Sequence, residues 1–211
     1  MSCHKIKDVK QKSTKLSFIE QITEAVGMVS ENYWKIVRAG GDIAYRERVF
    51  CYELYHCLRK MQEESKFYQK FESINAEIDK RGDRNFSVEY NPDIVFHTQG
   101  INGQNACAVE VKVRLDDISG ILKDFASLHD LVAKHEYKEG VFLLVNHTLD
   151  ELYNALMSHE DTLLNEIKKV SINIDHKAFE AISVLTIKEC KSTPESETFD
   201  VFFQSLSKDR L

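Results

Sequence analysis

The chain has 211 residues, of which 43% are hydrophobic and 29% are charged, and it contains only 2 prolines. This composition is typical of one well-packed domain and excludes a disordered chain, while the formal net charge of −6 argues against a binder of bulk polyanions. No apolar run reaches bilayer length and no hydrophobic signal core follows the first residues, so we expect a soluble, cytoplasmic protein with no membrane partner.

Cysteine usage excludes two further classes. The 5 cysteines are odd in number and form no C-x-x-C pair. They are therefore interpreted as reduced thiols, which argues against a disulfide framework and against a cysteine-based zinc site.

Positive charge is concentrated at the start of the chain. Residues 1–15 contain five lysines and one aspartate, although the whole chain is acidic. We interpret residues 1–16 as a basic arm suited to a nucleic-acid backbone, while a solvated terminus would account for the same lysines. Residues 17–211 are interpreted as a single domain.

Two helices are predicted next. The first runs from Ser17 to about Arg38, where apolar residues recur at helical spacing. The second covers residues 42–61, with Gly40-Gly41 before it and Asp42 as its N-cap. Its buried face is predicted from the apolar residues at helical spacing, which are Ile43, Phe50, Leu54, Cys57 and Met61.

Charged residues follow the border of this second helix. Glu53 lies about 80° from the centre of the apolar face, at its border. Arg46 lies seven residues before Glu53 and Lys60 seven residues after it, so both lie on the same border. This line suits a metal-facing carboxylate between two phosphate-facing cations, but a solvated stripe of alternating charge has the same pattern. Glu47, on the opposite border, is the alternative acidic candidate.

The segment before residue 92 is predicted to contain a strand and a basic loop. Residues 71–79 alternate between apolar and polar and indicate a strand, with Glu77 and Asp79 as further candidates for a metal shell. In the following run Lys80-Arg81-Gly82-Asp83-Arg84, we predict that Arg81 and Arg84 contact substrate.

The most informative segment is Asn91-Pro92-Asp93-Ile94-Val95-Phe96 followed by Ala108-Val109-Glu110-Val111-Lys112. Side chains alternate along a strand, so Glu110 and Lys112 project to one face. Asn102-Gly103 between the two strands is a strong hairpin signal. A two-residue turn there sets Asp93 opposite Lys112, and a loop centred one position earlier sets it opposite Glu110. Both registers place the three charges on one face, whereas the intermediate register would not.

This clustering of charge favours a bound cation. Two carboxylates a few ångströms apart repel, and one becomes protonated unless a positive charge lies nearby. Lys112 neutralises part of the charge, and a divalent metal ion can neutralise the rest. The alternative is an edge hairpin with solvated charges and an ordinary Glu–Lys cross-strand pair.

The remaining elements continue an α/β order. Residues 117–135 form an amphipathic helix, residues 140–146 a strand buried on both faces, and residues 149–170 another helix. Residues 181–187 are predicted to form a late strand, and residues 191–198 are polar and loop-like.

The string Pro92-Asp93, a hairpin, and then Glu110-Val111-Lys112 resembles the motif of the PD-(D/E)xK nuclease superfamily, whose fold is also called restriction-endonuclease-like. The resemblance covers roughly residues 42–146, with boundaries good to a few residues. It implies a central mixed β-sheet flanked by helices, here with extra N-terminal and C-terminal helical elements. It also implies Mg²⁺ (or Mn²⁺) held by Asp93, Glu110 and the Val111 carbonyl, with Lys112 orienting or activating the attacking water. Many members carry a glutamate on the helix before the sheet, a position that Glu53 can fill.

The leading hypothesis is therefore a metal-dependent nuclease that hydrolyses phosphodiester bonds, with DNA favoured over RNA. Its predicted catalytic residues are Asp93, Glu110, Lys112 and Glu53, and its predicted substrate contacts are Arg46, Lys60, Arg81 and Arg84. A catalytically inactive nuclease-fold scaffold or nucleic-acid binding module is the alternative. An unrelated α/β protein with decorative hairpin charges is a third interpretation. A homodimer would suit an enzyme that cuts two strands. The sequence has no dinucleotide fingerprint, Walker loop or nucleophile elbow.

Overall fold

The computed structural model describes residues 17–64, 71–76, 91–100, 104–159 and 176–208. Its helices are α1 (Phe18–Met28), α2 (Glu31–Trp34), α3 (Glu47–Glu63), α4 (Ile118–Lys134), α5 (Leu149–Met157), α6 (His176–Glu180) and α7 (Phe199–Lys208). Its strands are β1 (Ile36–Val37), β2 (Ile43–Ala44), β3 (Ser73–Ala76), β4 (Ile94–His97), β5 (Asn105–Lys112), β6 (Glu139–Val145), β7 (Ile182–Ile187) and β8 (Glu195–Thr198). The predicted features outside the described residues are the basic arm 1–16, the candidates Glu77, Asp79, Arg81 and Arg84, the Asn102-Gly103 turn and the helix beyond residue 159.

A six-stranded mixed sheet forms the centre of the fold, in the order β3-β4-β5-β6-β7-β8. The strands β3, β4 and β5 are antiparallel, β5, β6 and β7 are parallel, and β8 is antiparallel to β7. Because β6 pairs on both edges and is covered on both faces, its sequence is a nearly continuous apolar run. The predicted α/β class, with a mixed sheet and flanking helices, is confirmed.

Helices cover both faces of the sheet. On one face, Leu54 of α3 belongs to the same buried cluster as Val109 and Val111 of β5. On the other face, α4 packs through Phe125, whose ring centroid lies 4.6 Å from that of Phe142 on β6. None of the helices in the described ranges has the length and apolar composition needed to cross a bilayer.

The first predicted helix is wrong in its length. α1 ends at Met28, because Val29 adopts an extended conformation with φ −61° and ψ 124° and is buried against the core. The chain then turns into the short α2, which buries Trp34 with its ring centroid 5.2 Å from that of Phe50. Tertiary burial of Val29 and Trp34 therefore overrides the local helical pattern.

The second predicted helix is wrong in its start. α3 begins at Glu47, because Ile43 and Ala44 pair with β1 in a two-stranded antiparallel ladder. Gly41, at φ 87°, makes the turn between these strands. Asp42 is therefore not the N-cap, and the predicted core residue Ile43 is exposed.

The C-terminal tail is more ordered than predicted. Residues 195–198, which were predicted to be a loop, form the edge strand β8, and the helix α7, whose bounds were not predicted, follows. β8 is polar, so it lacks the alternation that marks a half-buried strand. α7 packs through Phe199, whose ring centroid lies 4.9 Å from that of Phe125.

Truncating the centre of the sheet is expected to destabilise the protein strongly. Leu143 is fully buried on β6, so Leu143→Ala removes buried methyl groups and leaves a cavity that costs about 2–5 kcal/mol of unfolding free energy. Urea denaturation would measure the loss, with Val201→Ala, at an exposed site, as the control. Equal midpoints for the two variants would contradict the buried position of β6.

Candidate active site

From Ile94 to Phe96 the β4–β5 hairpin has the second of the two predicted registers, and its register shifts by one residue between Phe96 and His97. Ile94 pairs with Val109, so the preceding residue, Asp93, lies opposite Glu110. Along β5, Glu110 and Lys112 alternate with valines that point into the α1–α3 side of the core. Asp93, Glu110 and Lys112 therefore share the face that α4 covers.

Two hydrogen bonds fix the carboxylates of the hairpin. The backbone N–H of Val111 donates to Oδ2 of Asp93 at 2.7 Å, which ties the start of β4 to the end of β5. The hydroxyl of Ser127 on α4 donates to Oε1 of Glu110 at 3.0 Å, and Glu110 is only 6% exposed. Both carboxylates are thus held in defined positions.

Lys112 lies among acidic side chains. Its Nζ is 2.7 Å from Oδ2 of Asp124 on α4 and 3.7 Å from Oε1 of Glu47 at the start of α3. The side chains of Lys112 and Asp124 are 17% and 13% exposed, so this ion pair is largely shielded from water. We call Asp93, Glu110, Asp124, Glu47 and Lys112 the acidic cluster.

Burial and mutual repulsion raise the pKa values of the carboxyl groups in the acidic cluster. Burial, with the charges of Glu47 and Asp124 in addition, raises the pKa of Asp93 to about 7, although the Val111 hydrogen bond and Lys112 oppose the shift. Burial and the charges of Asp124 and Asp93 raise the pKa of Glu110 well above its ordinary value.

The other three groups of the cluster follow the same physics. Burial is also the main cause that raises the pKa values of Asp124 and Glu47, against the attraction of Lys112. Burial alone would lower the pKa of Lys112, but Asp124, Glu47 and Asp93 together raise it above its ordinary value. Lys112 therefore stays positively charged, and the carboxyl groups around it bind protons at a higher pH than they would in water.

Sequence reasoning missed Asp124 of this cluster and its neighbour Ser127, and it ranked Glu47 as an alternative. Asp124 and Ser127 are three residues apart and so lie on the same side of α4. Asp124 and Ser127 lie on either side of Phe125 in an otherwise apolar stripe. This pair of polar residues was the sequence signal that could have indicated a site contact from α4. Glu47, the alternative to Glu53, is the α3 carboxylate that pairs with Lys112.

The other predicted site residues lie elsewhere on α3 or outside the described ranges. Glu53 is partly exposed, and its charge acts on Cys57 of the same helix. Arg46 is exposed at the N-cap of α3, next to Glu47, and Lys60 is exposed in the last turn. The roles assigned to Glu53, Arg46 and Lys60 stay predictions, as do those of Arg81 and Arg84.

The oxygen donors suit a site that is completed by water and substrate. Within the described ranges, no three His, Cys, Asp or Glu side chains are placed to hold a metal ion by themselves. Mg²⁺ is commonly held by one or two carboxylates, with water and substrate phosphate filling its other positions. Asp93 and Glu110 supply two carboxylates. The third predicted ligand is the carbonyl of Val111, a residue whose backbone N–H already donates to Asp93. This all-oxygen set fits Mg²⁺ or Mn²⁺.

The raised pKa values predict that the metal-free protein loses stability as the pH rises. In the unfolded chain these carboxyl groups ionise near pH 4, whereas Asp93 in the folded protein ionises near pH 7. The folded state therefore binds more protons between these values, and the unfolding free energy falls by about 1.4 kcal/mol per pH unit through Asp93 alone. The other raised carboxyl groups act in the same direction. The melting temperature of the protein in EDTA, measured from pH 5 to pH 8, tests this loss of stability.

Added Mg²⁺ should reverse that trend, because a cation competes with the protons for the same oxygens. The rise in melting temperature on adding Mg²⁺ is expected to be larger at pH 8 than at pH 5.5. A metal-induced rise that is equal at both pH values would contradict this linkage.

Comparison of the chain with protein-family models, with curated proteins and with solved structures finds no match. The fold is accordingly described as α/β with a six-stranded mixed sheet packed against helices.

Proposed function

We propose that the protein is a Mg²⁺-dependent nuclease that hydrolyses phosphodiester bonds, with the acidic cluster as its active site. The observation that carries the proposal is the charge imbalance of four carboxyl groups around one ammonium in a largely buried site. Such an arrangement destabilises the empty protein, so its presence suits a site built for a cation.

The resemblance to PD-(D/E)xK nucleases supports the assignment of roles within the cluster. Asp93 and Glu110 would hold the cation together with the Val111 carbonyl. The N–H and C=O groups of one strand residue face the same neighbouring strand. Because the Val111 N–H reaches Asp93, we infer that its carbonyl lies on that side as well. The cation, when bound, would polarise the phosphoryl group and lower the pKa of the attacking water.

Lys112 is assigned to orient the attacking water and to stabilise the negative charge of the phosphorane-like transition state. Its raised pKa keeps it protonated, so it donates hydrogen bonds and does not act as a general base. Asp124 and Glu47 position it from two different helices. Ser127 positions Glu110 in the same way.

The test is a cleavage assay on plasmid, linear duplex, single-stranded DNA and RNA with Mg²⁺, Mn²⁺ or EDTA. Wild type is compared with Asp93→Ala and Lys112→Ala. Asp150→Ala and Lys138→Ala serve as matched controls, because both residues are exposed and lie outside the cluster. We expect wild type and both controls to cleave in a metal-dependent way, and Asp93→Ala and Lys112→Ala to be inactive. Cleavage that survives Asp93→Ala would overturn the proposal.

A binding readout separates the enzyme from a non-catalytic relative of the same fold. If no substrate is cut but Mg²⁺ raises the melting temperature of wild type and not of Asp93→Ala, the site binds metal without nuclease activity. That result would favour the scaffold or nucleic-acid binding alternative.

A further inference from the structure

A cleft of about 740 Å³ lies over the carboxyl ends of β6 and β7. Its walls come from the end of α1, from α2, from β2 and from the residues that follow β6 and β7. In α/β sheets, ligands bind characteristically outside the carboxyl ends of the parallel strands. The volume lies in the range of about 300–1,000 Å³ that small ligands occupy.

The cleft adjoins the acidic cluster at two points. Asn146, in its wall, donates from Nδ2 to the carbonyl oxygen of Val113 at 3.4 Å, and Val113 directly follows Lys112. Tyr45, in the opposite wall, is two residues before Glu47, which pairs with Lys112. A chain bound in the cleft would therefore continue towards Lys112.

The lining combines aromatic and cationic groups. Tyr45 is 40% exposed, so its ring is accessible for stacking. Lys35 forms an ion pair with Glu31, with 2.5 Å between Nζ and Oε1. Lys188 forms an ion pair with Glu151, with 2.6 Å between Nζ and Oε1.

A further cation lies in this lining. Lys191 is exposed, and its charge acts on Glu31, whose carboxylate is already paired with Lys35. An accessible ring and an accessible cation in one cleft suit a planar base joined to a phosphate.

We propose that this cleft binds one nucleotide unit of a single-stranded substrate, with its base against Tyr45 and a phosphate at Lys191. The proposal rests on the nuclease function proposed above and adds a substrate class to it. A single strand is favoured over a duplex, because stacking on a side chain requires an unpaired base and the cleft has the volume of a small-molecule site.

Trp34 gives a direct readout of binding. It lines the cleft and is the chain's only tryptophan, so its fluorescence reports on this site. A thymidine hexanucleotide is titrated in EDTA, where metal-dependent cleavage cannot occur. We expect a saturable change in fluorescence that Tyr45→Ala and Lys191→Ala each weaken by about tenfold in Kd.

The controls are Tyr52→Ala and Lys138→Ala, which alter exposed residues outside the lining and should bind as wild type does. Equal binding by Tyr45→Ala and wild type would overturn the proposal. So would equally tight binding of a hexamer duplex.

Cleavage kinetics separate this inference from the nuclease function. Tyr45→Ala should raise KM and leave kcat nearly unchanged, because a stacking contact is made equally in the ground and transition states. Asp93→Asn should abolish cleavage and keep the fluorescence change. If Tyr45→Ala and Lys191→Ala cut a single strand normally, the cleft assignment fails and the nuclease stands. If wild type binds through Tyr45 but cuts nothing, the nuclease fails and the cleft assignment stands.

Discussion

Asp93→Asn is expected to abolish the proposed nuclease activity and to stabilise the metal-free protein at pH 8. Asparagine is neutral and can still accept the Val111 N–H, so the variant keeps the hydrogen bond and loses the repelled charge. Because the pKa of Asp93 is raised to about 7, mainly by burial, wild type must ionise this group at an energetic cost at pH 8. We expect a gain of about 1–3 kcal/mol in unfolding free energy. Activity should fall at least about a hundredfold, since a metal ligand contributes several kcal/mol to the transition state.

Two further measurements on Asp93→Asn test the cause of these effects. The stability gain should shrink at pH 5, where the wild-type carboxyl group is already protonated. Mg²⁺ should no longer raise the melting temperature. Asp150→Asn, at an exposed site, is the matched control and should change neither stability nor activity. If Asp93→Asn is less stable than wild type at pH 8, the charge of Asp93 is satisfied in the folded protein and the argument from repulsion is wrong.

The hairpin could be predicted from sequence because its signals are local. Alternation fixes the shared face of Glu110 and Lys112. The structure has Asp93 opposite Glu110, one position beyond the ladder pair Ile94–Val109. That register depends on a one-residue shift between Phe96 and His97, which the sequence did not predict.

The contribution of α3 was not predicted, because the pairing of β1 with β2 directly before it sets its start. This two-stranded ladder takes Ile43 out of the helix. The observed buried face also includes Cys51 and Leu58. At about 100° per residue, these two residues rotate the face towards Glu47 and away from Glu53.

The contribution of α4 required tertiary structure as well. The amphipathic character of this helix was predicted, but periodicity does not reveal which strand residues a polar side chain will meet. Ser127 and Glu110 are 17 positions apart, and their contact depends on the crossover from β5 through α4 to β6. Long-range placement of this kind needs information on packing that a single sequence does not provide.

Lys112→Met is expected to remove activity and to destabilise the metal-free protein at the same time. The ammonium holds Asp124 and Glu47, so its loss leaves buried carboxyl groups without their cation, which costs about 3–5 kcal/mol at pH 8. The cost should fall at pH 5.5, where these groups are protonated more readily, and Mg²⁺ should restore part of it. Cleavage should drop about a hundredfold to a thousandfold. Lys138→Met, at an exposed lysine, is the matched control for both readouts.

Lys112→Arg separates the structural role of the charge from its catalytic role. The guanidinium keeps the positive charge, so stability should remain within about 1–2 kcal/mol of wild type. Its donors form a planar fork and cannot take the positions of the three ammonium hydrogens, so cleavage should stay strongly reduced. Full activity in Lys112→Arg would show that any cation suffices at this position. In that case Lys112 would act only by balancing the carboxylates, and the attacking water would have to be oriented by another group of the acidic cluster.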